Sequence, residues 1–162
     1  MNPSICAQMH VDKHVIKMIL ETCQMLCSAW HMLDNEHELY TPIYKLAHKN
    51  HPCSIWVRES QANYKWLCEL GIELCKEYTY RYGKIHKSQQ YIMDLEKNIP
   101  PISNIKFTKF PQAMPDMYKE DDVISAYRHY YFFEKEHIHV WKGRINGRNI
   151  PAWISDFHNM FL

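Results

Sequence analysis

Glycine is scarce in this chain: four in 162 residues, with Gly83 alone between Gly71 and Gly143. Tight hairpins need residues that tolerate positive φ, so the composition argues against a hairpin-rich all-β chain. No apolar run approaches the ~18 residues of a membrane span. The opening Met1-Asn2-Pro3-Ser4 lacks a charged-then-apolar leader. Neither charge dominates, with 19 Lys+Arg against 18 Asp+Glu and a net charge of +1. A polyanionic partner would therefore have to be met by a local basic patch rather than by the whole surface. No CxxC pair occurs among the six cysteines. These absences lead us to expect a soluble cytoplasmic protein (in the host cell if the chain is viral) with no membrane association.

What is present is ordinary globular chemistry, 46% hydrophobic and 23% charged, in a length that suits one domain over residues 1–162. Asn2-Pro3 reads as an N-cap followed by proline in the first turn. From there to about Leu33 neither Gly nor Pro intervenes, and Val15, Ile19, Leu26 and Trp30 recur at helical spacing. A second long helix is expected from Pro52 to about Tyr82, with Trp56, Leu67, Leu70, Leu74 and Tyr78 on one stripe and Gly83 as its stop. A third should cover His86 to Lys97. Pro100, Pro101, Pro111 and Pro115 make Asn98–Pro115 a long wrapping loop. Asp121 or Asp122 should cap a fourth helix running from Val123 to Trp141, and an aromatic tail (Trp153, Phe157, Phe161) should pack back onto the body. Cys23/Cys27 and Cys68/Cys75 fall inside apolar helical stripes and are expected as reduced core thiols. The expected fold is a compact all-α single domain with a long Pro-rich connection.

Four constellations could carry chemistry. On the first helix, His10, His14, Lys17 and Glu21 share a face within about 60°. That face is read as a solvated surface, as a weak metal site formed by His10, His14 and Glu21, or as acid–base machinery in which a histidine tunes Glu21. No metal or cofactor is assigned, since Val11 stands where an H-E-x-x-H motif has its glutamate. The run Asn50-His51-Pro52-Cys53-Ser54, with Arg58, is either an anion-binding helix start or a capping turn. Glu77 to Lys87 interleaves Arg81, Lys84, His86 and Lys87 with Tyr78, Tyr80 and Tyr82. Cations can neutralise phosphates and rings can stack on bases, and the plain alternative is a core tyrosine among solvated cations. Glu134 falls on a tyrosine-rich stripe, where a carboxylate needs a hydroxyl or Arg partner or else acts as a functional acid.

Read in order, Asp12-Lys13-His14 with Glu21, Asn50-His51-Pro52, Arg81-Tyr82-Gly83-Lys84 and the tyrosine-rich helix with Glu134-Lys135 resemble the pyrimidine-dimer DNA glycosylases of the endonuclease V type. His10 to Met18, His48 to Ser60 and Phe110 to Lys119 are similar to segments of uncharacterised phage and bacterial proteins. The resemblance implies a helical glycosylase, with or without AP-lyase activity, acting on a damaged or modified base in double-stranded DNA. It implies an amine or water nucleophile, the amine here being that of Met1, or of Asn2 if Met1 is removed, with Lys13 or Lys17 as substitutes if desolvated. Glu21 assists, with His14 beside it. An α-amine is better placed than an ordinary lysine to be unprotonated at neutral pH. Lys17, His51, Arg58, Tyr80, Arg81, Tyr82, Lys84 and Lys87 are then expected along the DNA. A non-catalytic nucleic-acid-binding module and a phage host-interaction protein are the alternatives.

Overall fold

The computed structural model describes residues 1–161. The chain forms α1 (Pro3–Met9), α2 (Asp12–Leu33), α3 (Pro52–Glu59), α4 (Gln61–Tyr82), α5 (Gln89–Lys97), α6 (Val123–Lys135) and α7 (Ala152–Phe161). Two 3-10 turns, Asp116–Tyr118 and Glu136–Ile138, flank α6. No strand occurs among the described residues, and the fold is all-α as expected.

Each expected long helix is divided by tertiary partners rather than by Gly or Pro. The first breaks at His10-Val11, where Val11 takes ψ 157° and the Asp12 N–H bonds to the Val140 carbonyl at 2.7 Å. The second breaks at Ser60, with φ −153° and ψ 143°. Its hydroxyl donates to the Lys106 carbonyl and accepts from the Ala62 and Asn63 amides, capping α4. The wrapping loop is the cause, because Gln61 N also donates to Asn104 O at 2.8 Å and the Asn63 side chain clasps Thr108 on both sides. The third helix begins at Gln89 and the fourth ends at Lys135, shorter than expected.

The main core lies between α2 and α4, closed by α1, α3 and α5. Ile19, Cys23, Leu26, Leu67, Cys68, Leu74, Ile92 and Leu95 pack there. Gly71 sets the closeness of the crossing, since a Cβ at that position would lie 2.9 Å from Thr22 Cγ2 and 3.0 Å from Ile92 Cγ2. Buried Trp30 donates to the Tyr64 hydroxyl, which donates to the Leu95 carbonyl, so neither aromatic leaves a polar group stranded. All six cysteines are free thiols. Cys23, Cys27, Cys68 and Cys75 are buried.

A second, smaller cluster joins Val11, Phe132, Trp141, Trp153 and Ile154. It brings the aromatic tail back onto α6, as the sequence suggests, although Phe161 stays 45% exposed. The tyrosine hydroxyls of α6 tie this unit to the main body. Tyr127 donates to Pro111 O at 2.9 Å and accepts from Ala113 N, while Tyr131 meets Val11 and His14.

Candidate functional site

Arg81, expected along DNA, is fully buried and committed inside the fold. Its Nε donates to Glu77 at 2.7 Å, Nη1 to the Asp12 carboxylate at 2.8 Å and to His10 O at 2.9 Å, and Nη2 to Gln8 O at 2.9 Å. The carbonyls freed at the end of α1 thus meet a guanidinium, which also suits the negative end of that helix. Burial pushes the Glu77 carboxyl up, but hydrogen bonds from Arg148 and Arg81 outweigh it and leave the pKa below the usual value. The second carboxylate oxygen of Asp12 accepts from Gly143 N at 2.9 Å, which fixes the loop that follows α6. Gly143 has φ 59°, and a Cβ there would meet Asn146 O at 2.1 Å. Asp12 and Arg81 therefore link two of the short sequence islands through a buried ion pair.

The ionisable strip of α2 is present but divided in use. His10 lies in the break before the helix and its Nδ1 donates to Cys6 O at 2.7 Å; burial lowers its pKa. His14 Nδ1 lies 2.7 Å from the Tyr131 hydroxyl. Burial, then the charges of His10, Lys135 and Lys17, lower His14 to about 4 against a smaller upward pull from Glu21. Burial also holds the Tyr131 phenol protonated, so its O–H donates to neutral His14 Nδ1 while its oxygen accepts from Val11 N. His14 Nε2–H is left as a donor. Glu21 pairs with Lys17 at 3.1 Å on the open face. Lys17 is 68% exposed, the opposite of the desolvated setting that makes a lysine nucleophilic. Among the described residues no group of three or more His, Cys, Asp or Glu side chains is placed to hold a metal ion.

Beside this strip runs a cleft of ≈ 300 Å³ between the two clusters. Met18 and Met25 of α2 line it, and Glu21 lies between them along the helix and about 50° around the axis. Trp56, Trp66 and Phe110, packed against one another, also line it, as do Tyr127, Arg128, Tyr131 and Trp153. Met1 is held at the cleft by a hydrogen bond from Trp66 Nε1 to its carbonyl at 3.1 Å. Met1 thus lines the cleft, whereas His14 meets it only through Tyr131 and Glu21 does not line it.

The remaining expected contacts lie at two places. At the C-terminal end of α4, Lys84 and Lys87 are exposed. The loop after α6 joins them there, since Arg144 N and Ile145 N both donate to Arg81 O, bringing exposed Lys142 and Arg144 to the same end. Tyr80 is 41% exposed, but the Arg148 guanidinium covers its ring at 4.1 Å. Tyr82 is half-buried and donates to Asp12 O at 3.4 Å. Neither ring is a free stacking platform. His51 and Arg58 belong to a capping turn near the opposite end of α4, ~30 Å away along its axis. His51 Nδ1 accepts from Cys53 N, and Arg58 donates to Lys49 O and Ser54 O. Glu134 is exposed and accepts from the Tyr118 hydroxyl at 2.7 Å, so the structural alternative describes it.

Arg128, Trp153 and Arg148 carried no motif in the sequence. Their roles come from loop and tail placement, and the local signals are the aromatic richness of α6 and the tail and, for Arg148, the basic glycine-punctuated turn from Lys142 to Arg148. Neither family models, curated proteins nor solved structures give a significant match to this chain.

Proposed function

We propose that this protein binds double-stranded DNA through the basic end of α4 and excises a damaged or modified base, with Glu21 as the assisting carboxylate. The observation that carries the reading is the sorting of charge at that end. Asp12 and Glu77, the acids of the region, are neutralised internally by Arg81 and Arg148. Lys84, Lys87, Lys142 and Arg144 remain exposed, a local cationic surface on a chain of net charge +1. Chemistry falls to the adjoining strip. Glu21 would stabilise positive charge developing at the sugar, His14 Nε2–H would donate to an oxygen, and the Met1 amine or a water would attack C1′. The sequence resemblance to pyrimidine-dimer glycosylases supports the same assignment.

The test is incubation with duplex DNA carrying an abasic site or an ultraviolet photoproduct, followed by borohydride trapping and alkaline cleavage. Crosslink or strand breaks should appear and be lost in Glu21→Gln, which should still bind. Lys84→Ala should weaken binding and flatten its salt dependence. Absence of both product and salt-dependent binding overturns the reading. The Lys17–Glu21 pair favours a second one, a non-catalytic DNA-binding module, in which Glu21→Gln changes nothing and no substrate gives product.

A further inference from the structure

The cleft wall contains two N–H donors with nothing to bond to. Arg128 Nε and Trp153 Nε1 are both buried atoms without a hydrogen-bond partner, and both residues line the cleft. Trp153 is 9% exposed as a whole. The Arg128 guanidinium carbon sits 5.7 Å from the centre of the Trp153 ring, so the two donors share one corner. No carboxylate lines the cleft. Among the described residues Arg128 enters no salt bridge. Asp122, whose pKa is lowered chiefly by hydrogen bonds from the Ser125 hydroxyl and the Ser125 and Ile124 amides and least by the charge of Arg128, is engaged by those groups. The lining also includes the apolar side chains of Trp56, Trp66, Leu67, Leu70 and Phe110.

Two buried N–H donors left without an acceptor beside apolar walls are costly unless an acceptor completes them. A cleft of ≈ 300 Å³ is at the small end of the range for pockets that enclose small molecules. We propose that it binds a small amphipathic anion, with an apolar body between Trp56, Trp66 and Phe110 and a carboxylate-type head on Arg128 Nε and Trp153 Nε1. A protein segment would fill the apolar walls without needing this corner, whereas a cationic or purely apolar ligand would leave it unsatisfied. Arg128 and Trp153 have no role in the base-excision reading, although Met1, which has one, lines the same cleft.

The test is calorimetric titration of the full chain with decanoate, decanol and decyltrimethylammonium, with thymidine as a competitor. Decanoate should bind about tenfold or more tightly than decanol, the gain of a charge-assisted head, and decyltrimethylammonium should not bind. Arg128→Met should equalise decanoate and decanol by weakening only the former. Trp153→Phe keeps the ring without its N–H and should weaken decanoate severalfold, and it serves if Arg128→Met does not fold by circular dichroism. Equal affinity for decanoate and decanol, no binding of either, or displacement of decanoate by thymidine overturns the proposal.

Discussion

His14 illustrates how one side chain can be read from its neighbours. Three cationic or potentially cationic groups, His10, Lys135 and Lys17, act on it together with burial, and only Glu21 opposes them. With its pKa lowered to about 4, His14 is neutral at pH 7 and acts as a hydrogen-bond donor through Nε2 rather than as a cation. In the unfolded chain the same ring takes up a proton below about pH 6.5. The unfolded state therefore binds more protons between roughly 6.5 and 4, and this residue makes the fold less stable as pH falls through that window. Urea midpoints should drop between pH 7 and pH 4.5 by more in the native chain than in His14→Gln. An equal drop would place the titration elsewhere. The histidine strip was legible in the sequence as a shared face. The tyrosine that fixes the tautomer, Tyr131, lies 117 positions away and had no local signal.

At the scale of the element, the informative features are the interruptions. Helix starts and stops with their own chemistry were legible: Asn2 caps α1 through Ser4 N and Ile5 N, Gly83 ends α4 at φ 64°, and Asp122 caps α6. The apolar stripes were legible too, and Val15, Ile19, Leu26 and Trp30 are all buried. The breaks at His10-Val11 and at Ser60 were not, because their causes are carbonyls and loops brought in from elsewhere. Arg81 shows the limit most clearly, since a cation among tyrosines at a helix end looks solvent-facing in sequence. Here it joins the end of α1, the start of α2 and the last turn of α4. Removing it leaves buried Glu77 and three backbone or carboxylate acceptors short of a donor. Arg81→Ala should thus lose about 3–5 kcal/mol of stability. Lys84→Ala, three positions on and exposed, should stay within about 0.5 kcal/mol. Chemical denaturation of the two variants checks the contrast; equal effects would mean that Arg81 is dispensable to the fold.

On the scale of the whole molecule, two apolar clusters share one chain. The larger is built on α2 and α4 and the smaller on α6 and α7. Their junction is made by tyrosine hydroxyls, the Trp141 indole donating to Met9 O, and the Asp12–Val140 backbone bond. The space between is the apolar cleft rather than interdigitated side chains. Regions with few buried apolar contacts open at lower free energy than the main core. Amide exchange should accordingly be faster by at least tenfold in α6 and α7 than at the centres of α2 and α4. Uniform protection across all of them would mean a single cooperative unit. The single-domain reading of the sequence rested on length and on hydrophobic content, neither of which reports how that content divides. The cleft itself was not legible, because its lining comes from α1, α2, α3, α4, α6, α7 and the Pro-rich loop. A void with that lining also acts as an absent piece of the core. Whatever fills it acts as mortar between two courses of brickwork, so occupancy of the cleft and rigidity of the α6–α7 unit are one equilibrium observed from two sides.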